Sequence, residues 1–264
     1  MISLTDAQLN AWLISFIWPL TRILGLIMVT PVLGHRSVPA RVKIGLGVFV
    51  TLILAPTLPP MPDVHLGSWH GLFILMQQFL IGVAMGFTIR VVFAAFESAG
   101  EIIGLQMGLG FASFFDPQSA GQSLVLARFF NILATLVFLA VNAHLLMIGA
   151  LVDSFQSLPI GTQPLSAAGF HNVAAFGSTI FAVGLQLSLP VLAIMLMTNL
   201  SLGILTRSAP QLNIFAIGFP ITLAVGLIVL NMTLPHFAPH IEQAIHNGLK
   251  ATTVVIQTLR PGGS

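Results

Sequence analysis

Residues 71–115 read GLFILMQQFLIGVAMGFTIRVVFAAFESAGEIIGLQMGLGFASFF. These 45 residues contain no proline and three charges, Arg90, Glu97 and Glu101. As a single helix the stretch would be about 67 Å long, more than twice the hydrocarbon thickness of a bilayer. It has to break, or protrude from the membrane.

The rest of the chain shares this character. Of 264 residues, 56% are hydrophobic and 6% charged, whereas a soluble domain carries about a quarter charged residues. Lipid or other apolar protein is therefore its main solvent. Nine Lys and Arg against seven Asp and Glu leave a net charge of +2, which excludes the clustered basic face that nucleic-acid phosphates need. Cysteine is absent, so disulfides, zinc-thiolate sites and a thiol nucleophile are excluded. Asp6 is the one charge before Arg22. The start thus lacks the basic region of a signal peptide, and the first apolar segment is read as retained.

Charges and prolines divide the sequence into six candidate spans of roughly membrane length: 11–33, 42–58, 71–96, 128–151, 173–205 and 212–234. The fold class this predicts is an all-α membrane protein of about six hydrophobic, partly kinked helices. Pro56, Pro59, Pro60 and Pro62 end the second span, and Pro190 inside the fifth predicts a kink. Arg36, Arg41 and Lys43 fall in the first connection, Arg128 closes the third, and Arg207 lies in the fifth, while the second and fourth contain no basic residue. By the positive-inside rule the odd connections are cytoplasmic and the N-terminus lies outside. Residues 241–259 read as an amphipathic, peripheral helix rather than a seventh span, because Glu242, Gln243, His246, Asn247 and Lys250 interrupt them. The simplest division is one domain over 1–264, with 236–264 as a possible peripheral helix and tail.

Polar groups inside apolar runs are the candidate functional residues. Arg22 sits in the first span, where an arginine costs about 2.5 to 3.5 kcal/mol. The twelve Leu, Ile, Val and Phe residues between Leu13 and Leu33 offset this at about 0.3 to 0.6 kcal/mol each. Either it reaches the interface or a neighbouring helix, or it acts directly in transport. Arg90, Glu97 and Glu101 fall within about 40° on one helical face. Such a stripe suits a structural ion pair or a subunit contact; two carboxylates four residues apart also suit proton or cation handling.

Gly100, Gly104, Gly108 and Ala112 repeat every four residues, a small-residue ridge that permits close helix approach, and Gly82 and Gly86 form an earlier one. Beyond it, Gly108 and Gly110 loosen the helix and Pro117 stops it, leaving Phe111, Phe114 and Phe115 on a non-helical segment. Such backbone at membrane depth must be buried in protein or line a cavity. It is either a re-entrant loop packed in the core or an apolar constriction that closes a pore by dewetting. The amides Gln106, Asn131, Asn142, Gln186 and Asn199 read as hydrogen bonds between helices. His236 and His240 have metal-like spacing, but Pro235 and Pro239 are expected to break up the helix there, and no acidic partner completes a site. No GxxxxGK[ST], HExxH or GxSxG occurs, which removes support for ATP hydrolysis, zinc proteolysis and elbow-type serine hydrolysis. No cofactor or enzymatic activity is expected.

Arg22 with TPVLG at 30–34, Pro39 and Arg41; ESAGE at 97–101 running into GLQMGLG at 104–110; DPQ at 116–118; and RSAPQLNIFAIGFP at 207–220 together resemble the FliR family of flagellar biosynthetic proteins. The resemblance covers nearly the whole chain. It implies a non-enzymatic subunit of a type III protein export gate in the inner membrane, within the flagellar basal body. The implied partners are FliP-like and FliQ-like membrane subunits, an FlhB-like export switch protein and unfolded flagellar subunits in transit, with membrane lipid and no nucleic acid. Helices of that family pack as bent hairpins, which would account for the overlong segments. Its plug loop maps onto 107–122, from Met107 through Gly108 and Gly110, with Phe111, Phe114 and Phe115 as the stopper. Arg22, Arg90, Glu97, Glu101, Gln106, Asp116, Arg207, Gln211 and Asn213 would then serve polar contacts between helices or subunits.

The nearest competing reading is the virulence injectisome homologue, against which the wording of 207–220 speaks. A proton-coupled secondary transporter using Glu97 and Glu101 should carry inverted repeats, and none is visible. An intramembrane enzyme would need a nucleophile and base facing one cavity, and none declares itself.

Overall fold

Main-chain groups in an apolar setting must bond within their own segment, so apolar runs of this length become helices wherever proline and glycine allow. The computed structural model describes residues 6–111, 125–211 and 214–261; among them it contains α-helices and short 3-10 turns, and no strand. The helices are α1 (Asp6–Val29), α2 (Ala40–Leu54), α3 (Trp69–Gln106), α4 (Val125–Ala140), α5 (Ala143–Ser157), α6 (Ala167–Phe176), α7 (Thr179–Ser208) and α8 (Ile214–Thr258).

Among the described residues, five stretches are long and apolar enough to cross a membrane: Gln8–Val29, Ala40–Thr57, Trp69–Gln106, Ala167–Ser208 and Ile217–Thr258. The fourth apolar segment of the sequence is broken at Val141 and Asn142, where Asn142 takes a φ of 55°, and the pair α4 and α5 counts as a sixth span if taken as one. The break expected within 71–115 falls after Gln106. At 38 residues, α3 is still about 57 Å long and outreaches the hydrocarbon layer.

One expectation is overturned. Pro235 and Pro239 do not break up the helix around His236 and His240, because α8 runs unbroken through Pro220, Pro235 and Pro239 to Thr258. Each proline removes one main-chain bond, but abandoning the helix in apolar surroundings would strand many more. Residues 241–258 therefore continue the last apolar segment. They bury Ile241, Ala244, Ile245, Thr252, Val255 and Ile256, and expose Glu242, Gln243, His246, Asn247 and Lys250.

The chain forms two compact units, one of Met1–Val91, Asn142–Gly177 and His246–Ser264, the other of Val92–Val141 and Ser178–Ile245. The most apolar stretch of α3 is 67% buried, against 17% for that of α2 and 22% for that of α8, so α3 packs mainly against protein and the other two are largely uncovered. In the first unit α1 crosses α3 where glycines meet. A Cβ on Gly25 would stand 2.7 Å from the carbonyl oxygen of Phe79, and one on Gly86 2.9 Å from that of Leu26. The turn after α1 closes on itself: Gly34 N donates to Thr30 O at 2.7 Å and Lys43 Nζ donates to Gly34 O at 2.7 Å. In the second unit Gly100 of α3 lies against α4, where a Cβ would come within 2.7 Å of the Ala127 Cα. Aromatic rings fill the space alongside, with Phe93 edge-on to Phe138 at 5.7 Å and Phe130 edge-on to Phe237 at 5.0 Å.

Candidate functional site

Arg22 is the one charged side chain among the buried polar groups of the described residues, and it has no exposed surface. Its guanidinium is bonded within the first unit. Nε donates to Gln78 Oε1 at 2.8 Å, Nη1 to Ser154 O at 3.0 Å and Ser154 Oγ at 3.1 Å, and Nη2 to Leu158 O at 2.9 Å. The Phe155 ring centroid lies 4.3 Å from the guanidinium carbon, a cation–π distance. The acceptors explain the position. α5 ends at Ser157 without a basic residue in its last turn, and the last carbonyls of a helix need outside donors and favour a cation. Arg22 supplies both from a different helix. The neutral oxygens of Gln78, Ser154 and Leu158 share the work that a carboxylate would otherwise do.

Neighbouring contacts extend this polar seam. Gln77 Nε2 donates to Gln163 O at 2.8 Å, Ser166 N donates to Leu259 O at 3.1 Å, and Arg260 Nε donates to Ser157 O. The hydroxyls of Thr88 and Thr252 lie 2.6 Å apart. These groups carry the bonds between segments that the sequence reading gave to other amides. Gln106, Asn131, Asn142, Gln186 and Asn199 make no side-chain hydrogen bond among the described residues. Asn142, Gln186 and Asn199 are exposed, because an apolar neighbourhood in sequence does not reveal which face of a helix is covered.

The charged stripe of α3 is partly outward-facing: Arg90 and Glu101 are exposed and Glu97 is half-buried. Among the described residues none of the three takes part in a salt bridge. Arg207 stands exposed in the last turn of α7, where its charge suits the carbonyl end of the helix, and Gln211 is exposed beyond it.

The exit from α3 is closely built. Met107 N donates to Ile103 O and Gly108 N to Leu105 O, both at 3.0 Å. Gly108 then takes a φ of 83°, the left-handed turn by which glycine closes a helix. A 3-10 turn, Leu109–Phe111, follows. Met107 is wholly buried in the second unit, against α8. A Cβ on Gly226 would stand 2.5 Å from its Cγ and 2.8 Å from its Sδ and Cε, and the Thr222 hydroxyl lies 3.3 Å from its carbonyl oxygen. Of the remaining ridge, Gly104 is buried, and Gly110 in the turn beyond it is half-buried. Ala112, Phe114, Phe115, Asp116 and Asn213 lie outside the described residues, as does the side chain of Phe111.

Gln78, Ser154, Thr222 and Gly226 were not singled out from sequence. Gln78 had a signal, an amide in an apolar run with Gly82 one turn further on the same face. The other three had none, since each is recognisable only by a partner more than a hundred positions away.

Comparison with known proteins gives concordant matches. The family model described as bacterial export proteins, family 1, matches residues 13–248. The flagellar biosynthetic protein FliR of Escherichia coli (strain K12) is 49% identical over 242 residues, 92% of each chain. That of Pectobacterium carotovorum subsp. carotovorum is 48% identical over the same shares. The Bacillus subtilis (strain 168) protein of that name is 34% identical over 220 residues, 82% of this chain and 84% of its own.

Proposed function

Because the chain belongs to the FliR family of flagellar biosynthetic proteins, within the bacterial export proteins of family 1, we propose that it is a structural subunit of a gated protein-export pore. In this reading it assembles with FliP-like and FliQ-like membrane proteins, works beside an FlhB-like switch protein, and passes unfolded flagellar subunits across the inner membrane. It performs no chemistry of its own.

One observation carries the subunit role. Arg90 and Glu101 on α3, and Gln186 and Asn199 on α7, are exposed on helices apolar enough to cross a membrane. Lipid would leave such groups unsatisfied at a cost of several kcal/mol each. Other chains, or water held between chains, would satisfy them. The exposed aliphatic faces of α2 and α8 suit the same role. The relatives cited are all flagellar proteins, which favours flagellar export over injectisome export. By the positive-inside rule, Arg36 and Arg41, both exposed, favour a cytoplasmic first connection and with it a periplasmic N-terminus.

In the same reading, residues 107–122 form the plug of the closed pore, with Phe111, Phe114 and Phe115 as its apolar stopper. Deleting residues 110–115 is expected to open the assembled complex to ions without preventing assembly. Potassium conductance of the purified complex in planar bilayers checks this, and a deletion complex as tight as the wild type would remove the plug assignment.

Glu97 and Glu101 act in assembly rather than in proton coupling. Replacing both with Gln is expected to lower the yield of assembled complex while leaving the pH dependence of residual export unchanged. Full assembly together with an altered pH profile would favour the carboxylates as ion carriers instead.

A further inference from the structure

Every helix end leaves carbonyl oxygens without a partner in the helix, and at the end of α3 one of these belongs to Met107. The partner it finds is Thr222 on α8, whose hydroxyl lies 3.3 Å from Met107 O and 3.0 Å from Phe219 O. One proton serves the two acceptors in turn. Four residues further along α8, on the same face, Gly226 offers a notch that the Met107 side chain fills at van der Waals range. α8 therefore holds Met107 twice, by its main chain and by its side chain, immediately before Gly108 turns the chain out of the helix. All these groups lie within the second unit, and Met107, Thr222 and Gly226 are buried.

We propose that Thr222 and Gly226 are positioning residues for the gate: they key Met107 to α8 and so fix the point from which the plug segment departs. The proposal rests on the plug reading of residues 107–122. A long, unbranched methionine suits a notch that has only one missing Cβ to offer. Closure at a distance from the stopper then depends on α8, and a shift of α8 is transmitted to Gly108 through one side chain and one hydrogen bond.

The test uses three variants of the assembled complex, with potassium conductance in planar bilayers as the readout. Gly226→Ala puts a methyl where Met107 lies and is expected to raise closed-state conductance by about tenfold, the effect of displacing a buried side chain on a two-state equilibrium. Thr222→Val keeps the shape, removes the hydroxyl and is expected to raise it by a smaller factor. Gly226→Ala combined with Met107→Ala is expected to leak less than Gly226→Ala alone, because the two changes relieve each other. Deletion of residues 110–115 is run beside them. If the deletion leaks while Gly226→Ala and Thr222→Val stay as tight as wild type, the keying is wrong and the plug stands. If the deletion is tight as well, the plug reading itself falls. Should Gly226→Ala fail to assemble, Thr222→Val decides: a leak supports the keying, and wild-type tightness overturns it.

Discussion

Arg22→Ala is expected to cost the chain most of its folded population at growth temperature. The substitution removes the donors for Gln78 Oε1, Ser154 O and Leu158 O at once, and all three residues are buried. Ser154 O keeps its bond from Leu158 N, but Gln78 Oε1 and Leu158 O are left without that donor. An unsatisfied buried polar group costs about 1 to 3 kcal/mol, so the two take a large share of the roughly 5 to 15 kcal/mol that holds a domain folded. The C-terminal turn of α5 also loses its buried cation, keeping only the exposed Arg260 at Ser157 O, and Phe155 loses the guanidinium over its ring. Arg22→Lys keeps the charge and is expected to recover little. A single ammonium on a flexible stem does not span acceptors that a planar fork reaches on three nitrogens. Thermal unfolding of the detergent-solubilised protein measures this, and a lysine variant melting with the wild type would show that charge alone matters.

The second large effect falls on Gly82. A Cβ there would clash with the Arg22 carbonyl oxygen and stand 2.9 Å from Leu26 N, and the atoms it meets belong to the main chain of α1. No side chain can turn aside to make room. Gly82→Ala is thus expected to push α1 off α3 and to destabilise by about 2 to 3 kcal/mol, at the upper end of what overpacking costs. The separation also stretches the bond from Arg22 to Gln78, so the two substitutions should combine less than additively. Gly45→Ala on α2 is the control, since nothing lies within 4 Å of the added methyl. It is expected to leave the melting temperature of the isolated chain unchanged or slightly raised, as alanine is the better helix former. Equal losses at Gly82 and Gly45 would contradict the close crossing.

Much of the architecture is legible from local signals. The segments 11–33, 42–58 and 71–96 each correspond to an apolar helix, because span length and the prolines at 56 to 62 are properties of neighbouring residues. The end of α3 is legible for the same reason, since Gly108 and Gly110 announce a turn within a few positions. Pro235 and Pro239 mislead because a proline rule learned from water-exposed helices undervalues what apolar surroundings charge for stranded main-chain groups. The partners of Arg22 are illegible. The residue itself stands out as a cation in an apolar run, but Ser154 lies 132 positions away, and nothing in its own neighbourhood distinguishes it from any other serine. The Gly226 notch is hidden in the same way, as one glycine among 24 until Met107 is seen filling it. Local periodicity encodes which residues form helices; it does not encode which turn of one helix meets which turn of another.

In the proposed role this chain is one part of a larger pore. Mass measurement of the complex extracted intact from flagellated cells in mild detergent tests that most directly. The chain is expected in a defined assembly with FliP-like and FliQ-like membrane proteins, with little of it outside that assembly. A stable, correctly folded chain recovered alone, or only with copies of itself, would contradict the claim.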